Sequence, residues 1–331
     1  MFMAKGDCHV TDLRLRIAAK RMLTDRIAEF RLEPEAGGPL PRWEPGAHLR
    51  ISLPEGGDRA YSLVSFGPVP DEPDHYLIAV QREAEGAGGS KAMHALAVGD
   101  TVSATAPKCD FPVTPGAPAV LLAGGIGITP MISMAAALAA SGTPVELHYA
   151  GRSRGVMAYA DALSETLGGT LTLHCDDDEN TALNLGALLG ALGERHLYIC
   201  GPRGLIDAAR TGAEAAGIPS GRVHVELFDN LSSGASAPAA EGDQPFDVEV
   251  ASTGEVFTIP PGRSIIEVLE EGGMDLIHDC LRGDCGICQT EVLEGIPDHR
   301  DVVLSQAERA EGKLMQICVS RAKSARLKLD L

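Results

Sequence analysis

Cys280-Leu281-Arg282-Gly283-Asp284-Cys285-Gly286-Ile287-Cys288 places three cysteines at C-x4-C-x2-C, and Cys318 follows after 29 further residues. This is the spacing of plant-type [2Fe–2S] ligation. Three thiolates on one tight loop wrap a cluster, and a distant fourth closes it from another strand. Gly283 and Gly286 let the loop backbone approach closely and aim N–H groups at the sulfurs. A structural zinc site takes two paired short spacings, whereas here the last cysteine stands alone. Free core thiols do not explain three cysteines within nine residues of a glycine-rich loop. Cys280, Cys285, Cys288 and Cys318 are therefore the candidate metal ligands.

Around this loop, residues 246–331 carry hairpin-like strands at Phe246–Val250 and Glu255–Ile259. Ser264-Ile265-Ile266-Glu267 then forms a capping box that starts a short helix. Residues 231–245, from Leu231 to Pro245, are small, polar and without periodicity, which predicts a flexible linker. Upstream, residues 113–230 alternate two signals. Apolar β-type runs occur at Ala119–Ala123, Val145–Tyr149, Leu171–Cys175, Leu197–Cys200 and Val223–Leu227, separated by alanine-rich helical segments. That pattern predicts a doubly wound, mostly parallel sheet with helices on both faces. Residues 1–112 show short alternating stretches between Gly, Pro and Asp clusters, which predicts a small β-barrel.

The turns of these two regions carry ligand chemistry. In Leu121-Leu122-Ala123-Gly124-Gly125-Ile126-Gly127-Ile128-Thr129-Pro130 a strand ends in glycines, and a helix is expected with Thr129 as N-cap and Pro130 at its first position. Backbone donors and a helix dipole then face the place of a pyrophosphate. Pro130 stands where the G-x-G-x-x-G pattern has its third glycine. Cys200-Gly201-Pro202-Arg203 again follows a strand and opens a helix, at the carboxyl end where doubly wound sheets bind ligands. In the barrel region, Arg59 offers a fork of donors to a phosphate or a flavin carbonyl, and Tyr61 a face for stacking. Gly88-Gly89-Ser90 reads as a turn presenting N–H groups and a hydroxyl to a phosphate. Together they favour a flavin.

The chain has 331 residues, is 44% hydrophobic and carries a formal charge of −18. Such a surface repels phosphate backbones, which argues against nucleic acid and anionic membrane and suits a protein partner with a basic face. No run of 18 apolar residues exists, and the first residues lack an apolar signal core. A cytoplasmic location is expected, where eight cysteines serve as thiols or ligands rather than disulfides.

Arg59-x-Tyr61-Ser62, Gly124–Pro130, Cys200-Gly201-Pro202 and the C-terminal cysteine set occur in this order in the phthalate dioxygenase reductase family, within the ferredoxin–NADP reductase superfamily. The chain resembles that family over nearly its whole length, notably in Asp298-His299-Arg300-Asp301 and Cys318–Ser324. The resemblance implies a multidomain β, α/β and α+β architecture: an antiparallel flavin-binding barrel, a doubly wound nucleotide-binding domain and a β-grasp ferredoxin domain. It implies FMN, NADH and a [2Fe–2S] cluster as cofactors, and a terminal oxygenase as partner. Arg59, Tyr61 and Ser62 would hold the FMN, with Ser62 near the reactive flavin nitrogen and Gly88, Gly89 and Ser90 at its phosphate. Gly125, Gly127, Thr129, Gly201 and Pro202 would line the nucleotide site. Cys200 would sit by the nicotinamide, and Phe228 would flank the flavin ring. Ser62, Thr129, Cys200 and Glu226 are the candidate catalytic residues.

NADH delivers two electrons as one hydride, a [2Fe–2S] cluster takes one at a time, and FMN handles both. Four-thiolate ligation implies a potential of about −400 mV, below that of a Rieske centre. The function expected is therefore an NADH-dependent reductase of an aromatic oxygenase or demethylase system with a Rieske-type terminal component. The alternatives are the same chain of carriers serving a cytochrome P450, or a non-catalytic redox sensor. Arg152-Ser153-Arg154, after the second strand of the α/β region, is also a candidate coenzyme contact. An acidic residue there favours NADH, and arginine accepts a 2′-phosphate, so NADPH use stays open.

Overall fold

A computed structural model describes residues 13–53, 57–84, 88–228, 242–283 and 285–331. These fall into two compact units divided between Ala182 and Leu183. The first eleven residues of the expected linker, 231–241, lie outside the described residues.

The first unit opens with an antiparallel sheet of β1 (Leu13–Met22), β2 (Ile27–Pro34), β3 (Ala47–Leu53), β4 (Gly57–Ser62), β5 (Tyr76–Gln81) and β6 (Thr101–Ala104), with β7 (Lys108–Cys109) beside β3. A short helix, α1 (Gly89–Ala95), lies between β5 and β6. The strand order is β4-β3-β6-β1-β2-β5. Alternation builds it: Leu15 and Ile17, Phe30 and Leu32, Leu49 and Ile51, and Ile78 and Val80 all turn into one core. Leu63 bridges Ile78, and Val64 N–H donates to Leu77 O at 2.9 Å, so the β4 end returns to β5 and nearly closes the barrel.

The same unit continues with β8 (Ala119–Gly124), α2 (Ile128–Ala140), β9 (Val145–Gly151), α3 (Ala160–Leu167) and β10 (Leu171–Cys175). The strands run parallel in the order β10-β9-β8. All six residues of β8 are buried, as expected of a strand covered on both faces.

The second unit contains α4 (Leu185–Gly190), β11 (His196–Cys200), α5 (Arg203–Ala215) and β12 (Val223–Glu226), with β11 and β12 parallel. It then forms β13 (Phe246–Val250), β14 (Val256–Ile259), α6 (Ile265–Glu271), β15 (Gln289–Glu294), β16 (Pro297–Asp298), α7 (Gln306–Glu311), β17 (Leu314–Gln316), β18 (Arg321–Ala322) and β19 (Arg326–Leu329). The mixed sheet β14-β13-β19-β15-β17 packs Val248, Val250, Leu327 and Leu329 against Ile265, Ile266 and Leu269 of α6. The Ser264–Glu267 capping box is present in both directions. Asp243 ties the start of this module together, accepting from Arg300 at 2.5 Å and facing the buried Arg321 at 3.6 Å.

Candidate functional site

Arg59, Tyr61 and Ser62 all lie on β4, antiparallel to β3. Arg59 is buried, and its Nη1 donates to Asp58 O at 3.0 Å. A Cβ added to Gly89 would stand 2.7 Å from Arg59 Nε, so the guanidinium stem crosses directly over that glycine. The fold thus brings Arg59 to Gly88-Gly89-Ser90. That tripeptide is not the free turn expected from sequence. Gly88, at φ +91°, is the N-cap of α1, and Gly89 and Ser90 begin the helix. Ser90 Oγ accepts the Glu83 N–H at 3.0 Å. Burial pushes the Tyr61 phenol up against the opposing pull of Arg59, keeping it neutral.

Ser62 is buried, and its Oγ finds no hydrogen-bond partner among the described residues. Leaving such a hydroxyl unpaired costs about 1–3 kcal/mol. An acceptor supplied by a bound ring would remove that cost, so β4 fits a flavin.

The glycine turn differs from expectation at its helix start. Gly125–Gly127 is a 3-10 turn that runs directly into α2, and Gly127, not Thr129, is the N-cap. Thr129 sits one residue inside the helix, and its hydroxyl donates back to Ile126 O at 3.0 Å instead of capping. Pro130 is third in the helix, where its missing N–H is still harmless. Sequence reasoning missed Ser133, one turn after Thr129. Its Oγ donates to Leu63 O at 2.8 Å and accepts Ser65 N–H at 2.9 Å. This buried serine pins α2 to the residues that follow Ser62. The signal was a lone hydroxyl at i+4 in an otherwise apolar helix.

Arg152, Ser153 and Arg154 follow β9 at the surface, and Arg154 pairs with Asp161 at 2.6 Å. Asp176 and Asp177, after β10, donate their N–H groups to Gly151 O and Arg152 O at 3.0 and 3.1 Å. Acidic residues thus adjoin a loop that the sequence presents as basic.

In the second unit, Cys200 and Glu226 end the adjacent parallel strands β11 and β12 and are register partners. Both are buried, and the thiol lies 4.0 Å from Glu226 Oε2. Gly201 follows, and Pro202 is the N-cap of α5. Phe228 is 37% exposed, free to meet a planar ring.

Cys280, Cys288 and Cys318 are buried and Cys285 is half-buried, all as free thiols. The thiols act on one another's protonation: with burial, Cys280 pushes Cys285 up, Cys280 and Cys288 push Cys318 up, and Cys318 pulls Cys288 down. Arg282 N–H donates to Cys280 Sγ at 3.3 Å, and Ile287 N–H to Cys285. Leu281, Gly283 and Gly286 all take positive φ, and the N–H groups just after Leu281 and Gly286 are the two that meet sulfur. Cys280, Cys285, Cys288 and Cys318, with amide donors to Cys280 and Cys285, supply the donor set of a thiolate-ligated cluster, though among the described residues they do not close into a preformed metal-holding group. Asp301 anchors the loop from behind. It is fully buried, its Oδ2 accepts from Val303 and Leu304 N–H at 2.9 and 2.8 Å, and Val302 N–H donates to Gly283 O at 2.9 Å.

A Cβ on Gly283 would lie 2.6 Å from Val319 Cγ2 and 3.1 Å from Asp301 Cα, at φ +78°. Gly283→Ala is therefore expected to cost at least about 1 kcal/mol through the backbone alone and to lower the iron content of purified protein. Full iron loading at unchanged thermal stability would contradict this.

Two family models match the chain: the 2Fe-2S iron-sulfur cluster binding domain over residues 248–323 and the oxidoreductase NAD-binding domain over residues 121–211. The chain is 41% identical over 320 residues to phenoxybenzoate dioxygenase subunit beta of Ectopseudomonas oleovorans, covering 96% of this chain and 97% of that one. Among solved structures, phthalate dioxygenase reductase, a modular structure for electron transfer from pyridine nucleotides to [2Fe–2S], matches at 38% identity and TM-score 0.67, covering 97% and 98% of the two chains. The chain belongs to the phthalate dioxygenase reductase family. It is an oxidoreductase with FMN, NADH and a [2Fe–2S] cluster as its redox groups. The full-length cytochrome P450 CYP116B46 of Tepidiphilus thermophilus also matches, at 35% identity and TM-score 0.75, over 97% of this chain and 42% of that one.

When bound, FMN would supply the chemistry that takes the electron pair of one hydride and releases it as single electrons, which a [2Fe–2S] cluster carries. Of the chain's own residues, Arg59, Tyr61 and Ser62 on β4 would hold the flavin, and the four cysteines the cluster.

Proposed function

We propose that this protein is the reductase component of an aromatic oxygenase system, taking hydride from NADH and delivering single electrons to a Rieske-type terminal oxygenase. The carrying observation is one chain that joins β4, with its orphaned Ser62 hydroxyl, to a glycine turn at the end of β8 and a three-thiol loop with amide donors, completed by Cys318. The likeness to phenoxybenzoate dioxygenase subunit beta and phthalate dioxygenase reductase supports an oxygenase as partner. The match to a P450 monooxygenase chain supports a second reading, the same carriers feeding a haem oxygenase. The site assignments are Arg59, Tyr61, Ser62 and Gly88–Ser90 for FMN, Gly125, Gly127, Thr129, Arg152–Arg154, Gly201 and Pro202 for the nucleotide, and the four cysteines for the cluster. Domains at 1–112, 113–230 and 246–331, with a linker at 231–245, accompany this reading. We place the protein in the cytoplasm; among the described residues no helix is long and apolar enough to cross a membrane.

An absorption spectrum with flavin and metal analysis of protein purified without air tests the reading. About one FMN, two iron and two labile sulfide per chain are expected, with NADH bleaching flavin and cluster bands together. Zinc in place of iron would overturn the cluster. Reconstitution with a purified Rieske oxygenase or a P450 then separates the two partners.

A further inference from the structure

Helix α5 joins two sites within the second unit. Its N-terminus is the Cys200-Gly201-Pro202 turn. Its 13 residues span about 20 Å at 1.5 Å each. Ile206, Ala209 and Ala213 are its buried face. Another face carries Asp207, Arg210, Thr211 and Glu214, which recur at helical spacing. That polar face meets the segment that backs the cluster loop. Arg210 Nη2 donates to Val303 O at 2.6 Å, Gln306 Nε2 to Thr211 Oγ1 at 2.9 Å, and Gln306 N–H to Glu214 Oε2 at 3.3 Å.

The segment is itself stiff where it touches the cluster loop. Asp301 holds Val303 and Leu304 by their N–H groups, Arg309 Nη2 donates to Asp301 O at 2.5 Å, and Val302 is bonded to Gly283. A continuous series of contacts therefore runs from the nicotinamide turn through α5 to the loop bearing Cys280, Cys285 and Cys288. A cleft of about 850 Å³ lies along this contact, with Arg210, Glu214 and Val225 on one side and Val303, Gln306 and Arg309 on the other. A polar junction resting on a few bonds is characteristic of a separable contact between domains, not of a fused core.

We propose that Arg210, Thr211 and Glu214 of α5, with Gln306, form a latch that positions the cluster loop for electron transfer from the flavin. The latch residues are positioning residues, since none of them belongs to the FMN, nucleotide or cluster sites. The inference rests on the electron path of the proposed function, which wild-type protein tests separately.

The experiment uses full-length holoprotein with Arg210→Ala, Glu214→Ala and Gln306→Ala. Stopped-flow mixing with NADH follows the flavin and cluster bands separately. Flavin reduction is expected at the wild-type rate, and cluster reduction several-fold slower. Arg210→Lys, which keeps a cationic donor, should recover part of the loss. Hydrogen exchange of amides 302–309 should accelerate in the alanine variants even without NADH. Wild-type cluster reduction in Arg210→Ala and Gln306→Ala, with unchanged exchange, would overturn the latch. So would an equal slowing of both bands, which marks general damage. Should Arg210→Ala misfold, Gln306→Ala, altered at an exposed side chain, gives the decision. Failure of wild-type protein to pass electrons from flavin to cluster would instead refute the proposed function.

Discussion

Cys318→Ala is expected to leave NADH oxidation with ferricyanide at its wild-type rate and to abolish delivery to the oxygenase. Cys318 follows β17, with 29 residues between it and Cys288, yet its protonation is tied to Cys280 and Cys288. Without it three thiolates remain on one loop, and the fourth coordination position is open. Losing an outer-shell partner already costs a metal site roughly 10–100-fold, and a ligand should cost more. Iron and labile sulfide should fall together, and cytochrome c reduction by more than about 100-fold. The flavin and nucleotide assignments all lie before residue 230, so hydride transfer has no reason to follow. Full iron content with undiminished delivery would remove Cys318 from the ligand set.

Cys200→Ala is expected to act at the opposite end of the electron path. Cys200 is fully buried opposite Glu226 at the carboxyl ends of β11 and β12, just before the turn into α5. Removing the thiol takes away a side chain where the nicotinamide would be set against the flavin, and a small misalignment of reacting rings costs on the order of 10²-fold. FMN and cluster content should stay intact, since neither assignment uses Cys200. Stopped-flow flavin reduction about 100-fold slower, with unchanged absorption of the oxidised protein, is the result expected. Reduction at wild-type speed would refute a role for the thiol in hydride transfer.

The cysteine loop, the order of strands and helices and the Ser264 cap were legible in the sequence because each rests on local physics. Alternation marks Leu15, Ile17, Leu49 and Ile51 as inward whatever they meet. Gly283 and Gly286 announce a backbone that only glycine adopts cheaply, and both are at positive φ. The start of α2 was misread because a cap depends on where the chain enters the helix. Gly125 at φ +56° allows a 3-10 turn first, so Thr129 falls inside the helix.

The sequence by itself determined the barrel, the α/β alternation and the ferredoxin module, and it nominated the four thiols as ligands. Only the tertiary structure decided that Ser133 pins α2 beside Ser62, that Ser62 keeps an unpaired buried hydroxyl, that Cys200 faces Glu226 and that α5 holds the segment behind the cluster. Periodicity states which face of an element is buried and leaves its partner unnamed. Contacts across 70, 26 and 93 residues depend on how the elements pack, and nothing in the local sequence encodes that choice.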